Sequence, residues 1–244
     1  MPTETVYGLA ANALDGKAVA GIFRAKGRPM DNPLIVHICE LSQWEKLVDT
    51  IPDNARKLAE AYWPGPMTII LPKSDIIPRE VSADMPTVGV RFPSHPVAQA
   101  LIRESGCPLA APSGNLSGKP SPTTAACMAE DMDGRIDAIL DGGPCQVGVE
   151  STVITLATNP PRLLRPVGIT LEQLESVLGP VEVDPAVTQP LAEGVKVASP
   201  GMKYKHYAPK AHVIMVKGTF EAYCALVNSQ KEPEIGRTHV RTPV

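Results

Sequence analysis

Apolar positions recur at helical spacing in some stretches of the chain and in short unbroken runs in others, so two kinds of element alternate. Asp15 precedes a pattern with Val19, Ile22 and Phe23 on one face, which predicts a capped helix from about Gly16 to Ala25. Leu34 to Ile38 is a mostly apolar run after a proline and reads as a short strand. Ser42-Gln43-Trp44-Glu45 has the spacing of a capping box. Asp53 is placed to cap the next helix, with Leu58, Ala59 and Tyr62 inward and Pro64-Gly65-Pro66 as its stop. Met67–Leu71 and Val88–Pro93 read as strands, and His95-Pro96 opens a helix to about Ser105. Pro108–Ala111 reads as a strand of small residues. Ser121 to Thr124 starts a helix to about Asp131, and Ala138-Ile139-Leu140 is taken as a further short strand. Gly148–Ile154 is a turn feeding a strand, Arg162–Gly168 is another strand, and Thr170 with Gln173 caps a helix to Leu178. The sum is an α/β chain of the α+β type. It is a single twisted mixed β-sheet with flanking helices to about Val183.

The polar positions at the ends of these runs are less ordinary than the runs. Lys26 and Arg28 stand in a loop broken by Gly27, Pro29 and Pro33, at the mouth of a strand. Taken alone, that loop is either a solvated turn or an anion site. Arg91 alternates with Val90 and Phe92, so it must reach either solvent or an anion. Thr3 and Thr5 share a side if the chain there is extended. Pro112-Ser113-Gly114-Asn115-Leu116-Ser117-Gly118 is either an ordinary loop or one whose backbone N–H groups approach a ligand. One polar strand end carries no information. Thr5, Arg28, Arg91, Ser113, Ser151 and Arg165 together point to convergence on a concave anionic-ligand site.

Beyond Asp184 the periodicity is lost through four prolines to Pro209, which reads as a linker. Its second half, Ser199–Pro209, is rich in aromatic and cationic residues, so it is either a passive tether or a functional strap. His212–Val216 reads as a strand and Thr219 to about Asn228 as a helix. That pair alone is too small to sustain its own core.

Composition narrows the class. With 244 residues and 43% hydrophobic content, the chain is long and apolar enough for one large globular domain plus a fragment. A net charge of −3 argues against broad attraction to nucleic acid or anionic lipid. No apolar run approaches the ~20 residues of a membrane span, so no membrane association is expected. Five scattered cysteines without a C-x-x-C fit free thiols in a cytoplasmic setting rather than structural zinc. No Ser-His-Asp or Cys-His pattern calls for a protein nucleophile, and no carboxylate pair advertises a protein-held metal.

Several strings occur in one order: P-T-E-T-V-Y-G-L at Pro2–Leu9, K-x-R-P-x-x-N-P-L at Lys26–Leu34 and S-G-N-x-S-G at Ser113–Gly118. They are followed by S-P-T at Ser121–Thr123, S-T-V at Ser151–Val153 and R-P at Arg165–Pro166. This ordered set resembles the threonylcarbamoyl-AMP synthases with a YrdC-like domain. The string S-P-G-M-K-Y-K-H-Y-A-P at Ser199–Pro209 resembles the linker of that family's long form. The resemblance implies a YrdC-like catalytic domain over 1–184, a linker closing over the site at 185–209, and an incomplete C-terminal α/β domain at 210–244. It also implies that a helix and strand ahead of Pro2 are missing and that the second domain is cut short.

The implied reaction converts L-threonine, bicarbonate and ATP to threonylcarbamoyl-AMP and pyrophosphate. Magnesium would accompany ATP without being held by the protein. The product would feed the downstream tRNA threonylcarbamoyl-transfer machinery. By the same resemblance Lys26 and Arg28 are the catalytic cations. Thr5, His37, Arg91, Ala111 and Ser151 line the threonine pocket, with Arg91 on its carboxylate and Ala111 offering backbone groups only. Lys26, Arg28, Asn32, Thr87, Ser113, Ser121 and Arg165 serve ATP, with His206 and Tyr207 closing over it. Two alternatives share the fold: a non-catalytic double-stranded RNA or tRNA-binding module, and a carbamoyl-adenylate-forming relative from hydrogenase maturation.

Overall fold

The computed structural model describes residues 1–187 and 218–229, and the chain divides into two units, Met1–Ala208 and Pro209–Val244. In the first unit, eight strands form one mixed sheet: β1 (Ala11–Asn12), β2 (Ile35–His37), β3 (Met67–Pro72), β4 (Thr87–Arg91), β5 (Leu109–Ala110), β6 (Thr152–Thr155), β7 (Arg162–Arg165) and β8 (Glu182–Val183). Their order across the sheet is β1-β5-β2-β4-β3-β6-β7-β8. The helices are α1 (Gly16–Lys26), α2 (Leu41–Leu47), α3 (Asp53–Tyr62), α4 (Arg79–Ser82), α5 (Pro96–Ser105), α6 (Ala125–Met132) and α7 (Leu171–Leu178). In the second unit, α8 (Phe220–Ser229) is the described element, beginning where Thr219 Oγ1 accepts from the Ala222 N–H.

Strand alternation gives the sheet two unlike faces. Val36, Val90, Ile69, Ile154 and Leu163 point to one side and join the main hydrophobic core with α1, α3 and α7. The opposite face carries His37, Arg91 and Thr68, which are cross-strand partners in one row (His37↔Arg91, Thr68↔Arg91). Val153 pairs with Thr68 in the same row. Between Val153 and Ile154 the β6–β7 register shifts, so Val153 faces Arg165 while Ile154 faces Leu163. Plain alternation would send Leu164 and Arg165 to opposite faces. The extra residue puts Leu164 against Val153 and Ile70 and leaves Arg165 on the same side as Arg91.

Several expected elements differ. Ala138–Leu140 is not a strand: it has no regular structure, and Leu140 is 41% exposed. Three apolar residues are too short a signal to distinguish a strand from a loop. α2 begins one residue before Ser42 with Glu40 as its cap residue, and Gln43 Oε1 accepts from the Cys39 N–H instead. Asp53 is the first helical residue of α3, and the cap position falls on Pro52. The Asp15 cap and the Thr170–Gln173 capping box form as expected. Pro2–Thr5 is not extended. Thr3 Oγ1 accepts from the N–H groups of Thr5 and Val6 and donates to the Val6 carbonyl at 2.6 Å, which folds the segment into a tight turn. The expected strand at His212–Val216 lies outside the described residues.

Candidate functional site

The polar face of the sheet is roofed by the Thr3–Gly8 turn and by the loop after β5. Between them is a cavity of about 100 Å³ lined by Thr3, Thr5, Arg28, Ile35, His37, Arg91, Ala111, Ser113, Glu150, Ser151 and Arg165, among others. Of the residues expected at a site, Thr5, Arg28, His37, Arg91, Ala111, Ser113, Ser151 and Arg165 are therefore brought together. A second cavity, of about 530 Å³, shares Val6, Glu150 and Arg165 with the first and adds Ser121. A third, of about 860 Å³, lies by α1 and residues 135–140 and contains none of the expected site residues.

Arg91 is the centre of the smaller cavity, with 4% of its surface exposed. Its Nη1 donates to Thr5 Oγ1 at 2.8 Å and its Nε to the Gly65 carbonyl at 3.3 Å. Nη2 lies 2.6 Å from Glu4 Oε1. The Thr5 and Thr3 hydroxyls are 2.9 Å apart. Since the Thr3 proton goes to the Val6 carbonyl, the chain of donors runs from Arg91 through Thr5 to Thr3. A guanidinium has five N–H groups. Nε and Nη1 each donate to a protein oxygen, while Nη2 faces the Glu4 carboxylate without an aligned hydrogen bond, on a planar fork of the kind that suits carboxylates.

His37 lies beside Arg91 on β2 and is 3% exposed. Burial, with the Arg91 charge next to it, pushes its pKa down to about 3. The imidazole is therefore neutral at physiological pH, and its Nδ1 has no hydrogen-bond partner among the described residues. Ser151 Oγ is 2.8 Å from Thr68 Oγ1 and accepts from Arg165 Nη2 at 3.1 Å. Arg165 Nε also donates to the Ser151 carbonyl at 2.8 Å. Ser121 donates to Glu150 Oε1 at 2.5 Å, at the seam between the two cavities.

Arg28 reaches the cavity because α1 ends just before it. Gly27 takes the left-handed conformation (φ 64°) as the C-cap, and the Arg28 N–H closes on the Phe23 carbonyl. The Arg28 guanidinium lies 5.4 Å from the centre of the Phe23 ring.

Other expected residues are placed differently. Lys26 does not line the cavity. It is 2% exposed, and its Nζ donates to the Ser113 carbonyl and, at 2.5 Å, to the Asn115 carbonyl. Burial, followed by the nearby Arg28 charge, lowers its pKa to about 7. Lys26 thus organises the loop after β5. Two of that loop's backbone donors are already taken: the Gly114 N–H is bonded to the Tyr7 carbonyl and the Leu116 N–H to Asp131. A Cβ at position 114 would fall 2.1 Å from Met128 Sδ, so any larger residue there would force the Met128 side chain to move. The Ala111 N–H is taken by the Ile35 carbonyl, leaving its C=O as the available group. Asn32 is fully buried, and both ends of its amide lack partners among the described residues. Thr87 begins β4, four residues from Arg91, so it stands ~13 Å along the strand and lines none of these cavities. His206 and Tyr207 lie outside the described residues.

Glu4, Thr68 and Glu150 were not anticipated. Glu4 and Glu150 each adjoin a singled-out hydroxyl residue in the sequence, and that adjacency was the available signal. Thr68 had none, because a threonine in an apolar strand is ordinary. Among the described residues no group of three or more His, Cys, Asp or Glu side chains is arranged to hold a metal. Nor is any described helix long and apolar enough to cross a membrane.

Comparison with known proteins gives consistent matches. Residues 1–167 match the Sua5/YciO/YrdC family profile, described as telomere recombination. Residues 169–241 match the profile described as threonylcarbamoyl-AMP synthase, C-terminal domain. A threonylcarbamoyl-AMP synthase of Pyrococcus abyssi is 55% identical over 217 residues, covering 89% of this chain and 63% of the relative. That of Bacillus subtilis is 53% identical over 232 residues, covering 95% and 66%. The chain thus spans just under two thirds of the length of these relatives. The crystal structure of P. abyssi Sua5 complexed with L-threonine superposes with a TM-score of 0.88 at 52% identity, covering 93% of this chain and 66% of that one. Escherichia coli YciO superposes with a TM-score of 0.63 at 25% identity, covering 71% and 84%.

Proposed function

The chain belongs to the Sua5/YciO/YrdC family, and from that premise we propose that it condenses L-threonine, bicarbonate and ATP to threonylcarbamoyl-AMP and pyrophosphate. The observation that carries this reading is the cavity in which Arg28, Arg91 and Arg165 converge with the hydroxyls of Thr5, Ser113 and Ser151. The relatives named threonylcarbamoyl-AMP synthase, and the related structure complexed with L-threonine, support it.

In this reading the Arg91 guanidinium receives the threonine carboxylate. Thr5, Ser151 and the neutral His37 surround the rest of the amino acid, with the Ala111 carbonyl at its edge. Arg28 and Arg165, with Ser113, face the polyphosphate, and the larger adjoining cavity with Ser121 takes the nucleoside. Lys26 and Asn32 stand behind this wall, Lys26 holding the Ser113 loop in place. Thr87 is too far along β4 for direct contact.

The neutral threonine amine attacks the carbon of bicarbonate; the C–N bond forms as a C–O bond breaks, and the lost oxygen leaves as water with a proton from the amine, giving a carbamate. A carbamate oxygen then forms a bond to the α-phosphorus, while the bond to the bridging oxygen breaks and pyrophosphate leaves. Negative charge grows on that bridging oxygen, where fixed guanidinium groups act most strongly. The rest of the catalysis is positioning. Magnesium, a hard cation that favours phosphate oxygens, would arrive on ATP and supply charge neutralisation there. Glu150 is the single carboxylate among the described residues of the smaller cavity, too few for a protein cage. Threonylcarbamoyl-AMP would then pass to tRNA-modifying machinery.

The test is pyrophosphate release from ATP by the purified chain. Release that requires both threonine and bicarbonate is expected. Release dependent on carbamoyl phosphate would point to the hydrogenase-maturation relative, and RNA retention without release would point to a binding module.

A further inference from the structure

Glu4 has no part in the reaction as described, yet it is held with care. Its carboxylate is 2.6 Å from Arg91 Nη2, and the two side chains are only 4% and 5% exposed. Neither oxygen has an aligned hydrogen-bond partner among the described residues. A carboxylate buried without hydrogen bonds is costly and calls for an explanation. The backbone that carries it is fixed: the Thr3 hydroxyl accepts from the Thr5 and Val6 N–H groups, and the Glu4 carbonyl accepts from the Val147 N–H at 2.8 Å. Glu4 is also absent from the cavity wall, so it meets Arg91 from behind.

We propose that Glu4 is the internal counter-ion of Arg91, neutralising the guanidinium in the empty site and weakening its hold on the amino-acid carboxylate. The proposal rests on the reading of Arg91 as the carboxylate clamp. An arriving carboxylate would place two anions on one guanidinium, and their mutual repulsion lowers affinity. Without Glu4, the site would hold any amino acid chiefly by its carboxylate, the group that all amino acids share. With it, discrimination falls to the side-chain contacts around Thr5, His37 and Ser151. Weaker ground-state binding also avoids stabilising substrate and transition state alike. Glu4 is thus a positioning and specificity-determining residue that acts through Arg91.

Calorimetric titration of threonine into the full chain tests this. Glu4→Gln keeps the shape and removes the charge, so threonine should bind about tenfold tighter, the scale expected for like charges across one guanidinium at a partly screened site. A merely damaged pocket would bind more weakly. Threoninamide, which lacks the carboxylate, should bind the wild type and the variant equally. Glu4→Asp keeps the charge but withdraws it by one methylene, and should tighten threonine binding by roughly two- to threefold. Unchanged or weaker threonine affinity in folded Glu4→Gln, or equal tightening for threoninamide, overturns the counter-ion role. If Glu4→Gln does not fold, unchanged or weaker affinity in Glu4→Asp overturns it instead. Absence of threonine binding by the wild-type chain overturns the synthase reading and this inference with it.

Discussion

Arg91 shows how a single residue divides between stability and function. Its guanidinium is held by Thr5, Gly65 and Glu4, so removing it leaves a buried carboxylate without its cation. Arg91→Ala should lower unfolding stability by about 3–5 kcal/mol in urea titrations. It should also weaken threonine binding by about 100-fold. Stability loss with unchanged threonine affinity would assign Arg91 to structure alone. His37 makes a separate prediction. Its folded pKa is lowered from 6.5 to about 3, so between those values the unfolded chain takes up a proton that the folded chain refuses. Stability should therefore fall as pH drops through 6.5 towards 3 and be unaffected by this group above 6.5. His37→Asn should flatten that acid limb in unfolding measured across the range. At this scale the sequence marked Arg91 as anomalous by its place on an apolar strand. It could not identify the anion, because Glu4 reaches Arg91 only through a turn made by the Thr3 hydroxyl.

At the scale of elements, β6 and the turn after β7 are held together by one hydroxyl. Thr152 Oγ1 donates to the Ile169 carbonyl at 2.8 Å and accepts from the Val167 and Ile169 N–H groups. Thr152→Val keeps the volume and leaves those donors unsatisfied. It should cost about 2–4 kcal/mol in stability. Because that turn follows Arg165, the KM for ATP should rise more than the KM for threonine. Equal rises would mean that the damage spreads through the sheet. Helices with side-chain caps, such as those begun by Asp15 and Thr170, were legible because capping is a local interaction. The two-residue strands β1 and β8 and the single-turn α4 were not, since their residues carry no period of their own. The shifted β6–β7 register was equally hidden, although it determines which way Arg165 faces.

For the molecule as a whole, Lys26 links α1 to the loop after β5, and its burial registers in global stability. Its pKa is lowered from 10.5 to about 7, chiefly by burial. Between about 7 and 10.5 the unfolded chain carries a proton that the folded chain has released, so stability from this group should rise with pH across that window. Below about 7 the cost of the buried ammonium is present in full. Urea unfolding at pH 7, 8 and 9 should show the rise, and Lys26→Met should remove it. The net charge of −3 gives no general pull towards nucleic acid, so the three arginines of the cavity act locally.

The sequence by itself determined most of the alternation of strands and helices and marked Thr5, Arg28, Arg91, Ser113, Ser151 and Arg165 as polar ends that meet at the cavity, while His37 and Ala111 were named only by the family resemblance. The elements and the six polar ends follow from local periodicity, capping and chemical type. Only the tertiary structure decided that Lys26 serves the loop rather than the cavity, that Thr87 stands a strand's length away, and that Arg91 already has a carboxylate. Each of these depends on strand register and on a turn that bring distant residues within a few ångströms. A charge in a sequence has a sign but no partner until the fold supplies one.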